Sequence, residues 1–154
     1  MQASRLPDFR NLGTVLRVLL AVNGAAALVA LVLASGPRSF VDHLVRITGF
    51  VEPHLIAQLA VLYALAPSLA RQPYRIGAAL VFAVTVVVGL AVHLLVLRLL
   101  PGVGDTLLKH LLLAIAATAL LLAYFRLRAR ALSPAITEAR LQALQARIRP
   151  HFLF

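Results

Sequence analysis

Four long apolar segments constrain the fold of this chain more than any other feature of its sequence. They cover approximately residues 13–34, 54–70, 76–97 and 107–125. A helix needs about 20 mostly apolar residues to cross the hydrocarbon core of a bilayer, and each segment is close to that length. Backbone polar groups in lipid must bond within their own segment, so these spans are predicted to be helical. The predicted fold class is all-α: a polytopic membrane protein with four transmembrane helices.

The composition points the same way. The chain is 62% hydrophobic and 13% charged, with a mean hydropathy of +0.94. A typical soluble domain is about 25% charged, so this chain lacks the polar side chains that a soluble surface needs. It has no cysteine, which excludes disulfides, thiolate metal sites and cysteine nucleophiles.

The basic residues predict an orientation for the four spans. The chain has 15 Lys and Arg against 5 Asp and Glu, a net charge of +10. In a soluble protein this excess would suggest nucleic acid. Here the arginines flank apolar segments, so they indicate topology and contacts with anionic lipid, and no nucleic-acid partner is expected. With four spans, seven arginines fall on one side, which the positive-inside rule assigns to the cytoplasm with both termini: Arg5, Arg10, Arg71, Arg75, Arg126, Arg128 and Arg130.

The predicted organisation is therefore a cytoplasmic N-terminus over 1–12, a four-helix transmembrane domain over 13–126 and a cytoplasmic helix over 127–154. The first loop, Ser35 to Pro53, carries Phe40, Leu44 and Ile47 on one helical stripe and predicts a short interfacial helix. A cleaved signal peptide ending near "VLASG" is the competing interpretation of the first span. Its apolar run is too long for a usual signal peptide.

The last segment is amphipathic. Ser133-Pro134 fits an N-cap followed by proline at the first helical position, which predicts that a new helix begins there. Apolar residues then recur at spacings of 3, 4 and 4, as in a coiled-coil seam. The tail is therefore predicted to pair with a partner helix or with a second copy of itself through Leu141, Leu144, Ile148 and Phe152.

His151 follows Pro150 at the edge of this stripe. Pro150 cannot donate a hydrogen bond to the carbonyl of Ala146, so the helix is weakened beside the histidine. Such a histidine could present its imidazole to another domain. From spacing alone, a surface histidine without a role is the more common explanation of this pattern.

The residues around His151 carry a family resemblance. The stretch "LQALQARIRPHFLF" resembles the phosphoacceptor box of the LytS/AlgZ (FimS-like) family of bacterial sensor histidine kinases, which reads approximately L-x-x-Q-I-x-P-H-F-L-F-N after a cluster of membrane spans. This chain has Ala146-Arg147 where many members have a glutamine. The matching positions are Leu144, Ile148, Pro150, His151, Phe152, Leu153 and Phe154.

The resemblance implies a function in a two-component phosphorelay. By it, His151 is the phosphoacceptor, the protein is a homodimer in the bacterial inner membrane, and a LytTR-type response regulator receives the phosphoryl group. ATP and Mg²⁺ belong to an ATP-binding domain of which this sequence shows no motif, so no cofactor is expected in this chain. We expect the chain to be the sensor part of a histidine kinase, ending inside a longer helix and unable to phosphorylate itself.

Polar residues inside or beside the spans are further candidates. Imidazoles near carboxylates could bind Zn or Cu, or report pH. No pair has the tight spacing of a metal motif, so hydrogen bonding is favoured and no metal site is predicted. The residues assigned to the outer half are His43, His54, His93, His110, Asp42, Glu52 and Asp105.

His93 lies deepest among these histidines and is predicted to face the bundle rather than lipid. Asn23 and Gln58 are predicted to form hydrogen bonds between helices. Rows of alanine four residues apart allow close helix approach, either inside the bundle or in a dimer; these are Ala26, Ala30 and Ala34, then Ala79 and Ala83, then Ala119 and Ala123.

Two other functions remain open at this stage. A small four-span transporter or channel should show internal repeats or broken helices with charges at the midplane. The sequence has no convincing repeat, and its charges lie near span ends. A membrane-anchored scaffold would use the same tail only to bind a partner helix.

Overall fold

The computed structural model describes residues 6–99 and 107–148; over 133–148, side chains are described only for Glu138, Leu141 and Gln142. Within these residues all regular secondary structure is α-helical, and each helix contains a segment long and apolar enough to cross a membrane. This confirms the predicted all-α class with four helices long and apolar enough to span a membrane. The helices are α1 (Leu12–Leu33), α2 (Pro37–Leu69), α3 (Tyr74–Leu99) and α4 (Leu107–Ile148).

Local chemistry explains where α1 begins and ends. The Asn11 side chain caps the helix by accepting a hydrogen bond from the Gly13 backbone N–H at 2.8 Å. After Leu33 the backbone becomes extended at Ala34, and Pro37 begins α2 at a position where its missing N–H costs nothing. The turn between the two helices is therefore only three residues long, 34–36.

α2 is longer than the predicted second span. The sequence predicts a loop over Ser35 to Pro53 and a span over 54–70, but one helix runs from Pro37 to Leu69. Pro53 lies inside it. A proline removes one backbone hydrogen bond, yet its fixed φ suits a helix, and here the helix continues through it. The helical stripe predicted within the first loop is thus part of the same helix as the second span.

α4 continues well past its apolar part. The candidate span covers Leu107–Leu132, and the helix extends to Ile148 without a break. Ser133 and Pro134 therefore do not begin a separate helix, and that prediction is wrong. The apolar segment and the residues that follow it, as far as Ile148, form one continuous helix.

The helices pack in chain order. α2 packs against both α1 and α3, and α3 packs against α4. An apolar cluster joins α2, α3 and α4 with a side chain that precedes α1, and its buried members are Phe9, Leu62, Ala66, Leu69, Val81 and Leu122. Phe9, in the segment before α1, thus packs against the part of the bundle that α2, α3 and α4 form.

The alanine rows divide into two kinds. Ala26 and Ala30 are buried, so the row in α1 serves packing inside the bundle. Ala79 and Ala83 on α3 are exposed, as are their counterparts on α4, Ala119 and Ala123.

Candidate functional site: a polar network among three helices

Five polar side chains meet inside the otherwise apolar bundle. α2 contributes two of them, His54 and Gln58, which lie four residues apart and so project from one face of the helix. α3 contributes Thr85, and α4 contributes His110 and Thr118. His54, Thr85 and Thr118 are buried, with Thr85 completely inaccessible. We call these five residues the polar network.

A histidine pair forms one end of the network. His54 Nδ1 lies 3.0 Å from His110 Nε2, a hydrogen-bond distance between two imidazole rings. The ring centroids are 5.1 Å apart and the planes are tilted by 45°. On its other side, His54 Nε2 lies 3.0 Å from Gln58 Oε1. His54 therefore bridges α4 and the next turn of its own helix.

A glutamine and two threonines form the other end. Gln58 Nε2 donates to Thr85 Oγ1 at 2.9 Å, with a longer approach of 3.5 Å to Thr118 Oγ1. The two hydroxyl oxygens are 3.1 Å apart, and Thr85 Oγ1 donates to the Val81 carbonyl at 3.0 Å. Three helices are thus joined around one amide group.

The backbone carbonyl of Val81 fixes the direction of these bonds. The single hydroxyl hydrogen of Thr85 is used on that carbonyl, so Thr85 Oγ1 must accept from Thr118 and from Gln58. Gln58 therefore presents its NH₂ group to Thr85 and its carbonyl oxygen to His54.

The same reasoning assigns the protons of the histidine pair. A carbonyl oxygen on Gln58 requires a hydrogen on His54 Nε2. The neutral ring carries only one hydrogen, so His54 Nδ1 is an acceptor and His110 Nε2 must be the donor. One consistent hydrogen-bond pattern then connects α4, α2 and α3.

The network reaches from near the start of α4 to the middle of α3. Thr118 lies eight residues after His110, about 12 Å along the helix. Thr85 lies 11 residues after Tyr74 and 14 before Leu99, so it is close to the centre of α3. Unpaired polar groups are costly in such surroundings. Every buried side-chain nitrogen or oxygen in the described residues has a hydrogen-bond partner.

A glycine makes room for the histidine pair. A Cβ built on Gly89 of α3 would lie 3.0 Å from His54 Cε1 and 2.7 Å from Leu111 Cδ2. Real Cβ atoms do not come that close to a neighbour without displacing it. The absence of a side chain at Gly89 therefore lets α3 approach both α2 and α4 at this level.

His93 lies beside the network, in agreement with its predicted direction. It is buried, and its ring centroid is 6.2 Å from that of His110. His54 on α2, His93 on α3 and His110 on α4 are therefore close together in the bundle. All three are among the histidines that the sequence assigned to the outer half. Within the part of the chain that the structure describes, no group of three His, Cys, Asp or Glu side chains is arranged to hold a metal ion.

The other sequence candidates within the described residues are on α2 and are not members of the polar network. His43 and Glu52 are half-buried on α2, and Asp42 is exposed. Asp105 and the predicted phosphoacceptor His151 lie outside the described residues.

The two interhelical amide predictions had different outcomes. Gln58 bonds to α3 and α4, which confirms its prediction. Asn23 instead donates to the Leu19 carbonyl of its own helix at 3.1 Å.

Sequence reasoning missed Thr85 and Thr118. The available signal was their position as single hydroxyls in aliphatic runs, each eight residues from a histidine on the same helix. Eight residues are slightly more than two helical turns, so each pair lies on roughly the same side.

Comparisons with models of known protein families, with curated proteins and with solved structures found no match.

Proposed function

We propose that this chain is the membrane sensor portion of a two-component histidine kinase, which relays a signal to the phosphoacceptor His151. The observation that carries the proposal is the contiguous Pro150-to-Phe154 sequence and its resemblance to the LytS/AlgZ phosphoacceptor box. Four helices of membrane-spanning length before that box agree with the architecture of the family.

The length of α4 supports a direct route from the membrane to the box. Its 42 residues correspond to about 63 Å of helix, roughly twice the hydrocarbon thickness of a bilayer. Its first part is held to α2 and α3 through His110 and Thr118. Its last described residue, Ile148, is three positions before His151. A shift or rotation of α4 in the bundle would therefore be passed along one continuous helix as far as Ile148.

The proposed chemistry is phosphoryl transfer. An imidazole nitrogen of His151 attacks the γ-phosphorus of ATP, forming an N–P bond as the bond to the β,γ-bridging oxygen breaks and ADP leaves. The ring proton is released to a base or to solvent. The phosphoryl group then passes to a carboxylate of a LytTR-type response regulator. ATP and Mg²⁺ would be supplied by an ATP-binding domain joined after the box.

Tail pairing is part of the proposal because the family works as a dimer. Leu141, the first residue of the predicted seam, is 55% exposed in the single chain. An exposed leucine on an amphipathic helix agrees with a seam that is covered by a second copy. The proposed assembly is therefore a homodimer in the bacterial inner membrane, with the tails paired in the cytoplasm.

Phosphoryl labelling of a fusion tests the proposal. The chain joined to an ATP-binding domain of the family type should form an acid-labile, base-stable adduct with ATP, and the chain alone should form none. His151→Gln should abolish the adduct and leave membrane insertion unchanged. His43→Gln is the matched control and should retain the label. Persistent labelling of His151→Gln would reject the phosphoacceptor role and favour the membrane-anchored scaffold.

A further inference from the structure

A cleft lies between the beginning of α3 and the middle of α4. Its volume is about 540 Å³, and it is lined by Pro73, Tyr74, Arg75, Ile76 and Arg126. The first of these residues precedes α3, the next three begin that helix, and the last belongs to α4. Two helices therefore meet at this cleft, and each contributes one arginine.

An aromatic ring holds the arginine of α4 beside α3. The guanidinium carbon of Arg126 lies 5.2 Å from the centroid of the Tyr74 ring, a cation–π distance. The Arg126 side chain is nevertheless exposed, and within the described residues no carboxylate or carbonyl accepts a hydrogen bond from it. Its guanidinium is thus positioned by the ring and keeps N–H donors for an anion.

The charge at the cleft is positive. Arg75 is exposed, and it forms no ion pair with any residue that the structure describes. Two described carboxylates lie on the same side of the predicted spans, Asp8 and Glu138. The first accepts a hydrogen bond from the Arg10 backbone N–H at 2.9 Å, and the second lies 12 residues beyond Arg126, about 18 Å along α4.

The cleft lies at a boundary of the apolar segments. The apolar segment of α3 begins at residue 76, and the apolar segment that the sequence indicates in α4 ends at residue 125. Arg75 and Arg126 therefore each stand directly outside an apolar segment. This is the level at which lipid headgroups meet a transmembrane helix, and tyrosine is common there.

An apolar surface continues from the cleft along α3. Ile76 lines the cleft and is 51% exposed. Leu80, four residues later and so on the same face, is 43% exposed. A ligand that fits both features has an anionic group for the two arginines and a hydrocarbon chain for the surface of α3.

We propose that this cleft binds the phosphate of one anionic phospholipid. Arg75 from α3 and Arg126 from α4 donate hydrogen bonds to its phosphate oxygens, and an acyl chain lies against Ile76 and Leu80. Guanidinium groups suit this role because their planar N–H donors match phosphate oxygens in pairs. The bound lipid would join α3 to α4 where both helices leave the bilayer.

The headgroup is expected to carry net negative charge. A zwitterionic headgroup such as phosphatidylethanolamine brings an ammonium close to the phosphate, and the two arginines repel it. Phosphatidylglycerol has the same phosphodiester without that cation. This inference goes beyond the proposed function, because lipid binding needs neither His151 nor an ATP-binding domain.

Native mass spectrometry of the complete chain, released from neutral detergent, tests the site. Titration with phosphatidylglycerol should leave one tightly retained lipid per chain, and phosphatidylethanolamine with the same acyl chains should bind more weakly. Arg75→Gln and Arg126→Gln should each weaken phosphatidylglycerol binding by at least about tenfold, through loss of a charged hydrogen-bond donor.

Arg128→Gln is the matched control. It removes the same charge on the same side, two residues from Arg126 and so from a different face of α4. The Arg128 guanidinium lies 3.5 Å from the Tyr124 hydroxyl, and Arg128 does not line the cleft. Its loss should weaken binding by less than about fivefold, the share of one arginine in the general attraction to anionic lipid.

Two further measurements protect the test from a folding defect. Arg126→Lys keeps the charge but not the planar donors, so it should bind the lipid more tightly than Arg126→Gln and less tightly than the unsubstituted chain. Phosphatidylglycerol should also raise the unfolding temperature of the unsubstituted chain, because it binds the folded state. That increase should be absent in Arg75→Gln, which alters an exposed side chain.

Three results would overturn the proposal. Equal weakening by Arg75→Gln, Arg126→Gln and Arg128→Gln would show diffuse attraction without a site. Equal binding of the two lipids would show that headgroup charge is not recognised. Displacement of the lipid by inorganic phosphate would assign the cleft to a free phosphate. Phosphoryl labelling of the fusion is a separate measurement, so failure of the lipid site and failure of the kinase proposal are distinguishable.

Discussion

At the residue scale, the polar network depends on the hydroxyl group of Thr85, which takes part in three hydrogen bonds. Thr85 is completely buried and accepts from Gln58 and Thr118 while donating to its own helix. One hydroxyl therefore satisfies groups from α2 and α4 at once. An apolar side chain of the same shape would leave the Gln58 amide with only the 3.5 Å approach to Thr118.

We expect Thr85→Val to destabilise the bundle by about 1–3 kcal/mol, the cost of leaving buried donors without acceptors. The free energy of unfolding in mixed micelles measures this. Thr48→Val is the matched control because Thr48 bonds only to carbonyls of its own helix, Leu44 and Val45; its expected effect is below about 0.5 kcal/mol. Equal effects of the two substitutions would show that the network adds no stability.

A second residue-scale prediction concerns Gly89. We expect Gly89→Ala to cost about 1–3 kcal/mol because its Cβ would displace His54 and Leu111. Gly24→Ala on α1 is the control, since a Cβ there meets nothing within 4 Å. It should be neutral or stabilising by up to about 1 kcal/mol through helix propensity. The same unfolding assay separates the two, and a neutral Gly89→Ala would contradict the close packing described for the histidine pair.

The length of a side chain explains why one amide prediction succeeded and the other failed. Gln58 carries its amide far enough from the backbone to reach two neighbouring helices. The shorter Asn23 side chain finds the carbonyl four residues before it. The sequence showed which amides lie within apolar runs. Whether a given amide meets another helix depended on the relative positions of the helices.

At the element scale, hydropathy located the four spans but not the ends of the helices. The apolar segments of α2 and α4 mark where lipid could surround the helix. In both helices the helical backbone extends beyond the predicted apolar segment, through Pro53 in α2 and through Pro134 in α4. The Ser133-Pro134 pair predicted that a new helix begins there, whereas α4 continues through both residues.

The tail provides a prediction at this scale. Replacing Leu144 and Ile148 by aspartate should place charges in the apolar seam and abolish self-association of the tail. Cysteine crosslinking in membranes can measure this cleanly because the chain has no cysteine of its own. Gln142→Asp is the control, since Gln142 is exposed and lies off the stripe. Unchanged crosslinking in the double variant would show that the tails do not pair through this seam.

At the scale of the whole molecule, the direction of the bundle in the membrane decides whether the proposed chemistry is possible. His151 must face ATP, so the C-terminal tail must lie in the cytoplasm. An even number of spans then places the N-terminus there too. The seven arginines on that side of the spans are the sequence observation that predicts this arrangement.

We therefore expect reporter fusions after Arg75 and after Phe154 to read cytoplasmic, and an insertion after Arg46 to read periplasmic. Positive charge resists translocation, and Arg71 and Arg75 both lie in or next to the short α2–α3 connection. Replacing both by glutamate should weaken the cytoplasmic reading of the first fusion, whereas replacing Arg38 and Arg46 should leave it unchanged. A periplasmic reading after Phe154 would contradict the topology. It would also remove the kinase proposal, because His151 would then lie across the membrane from ATP.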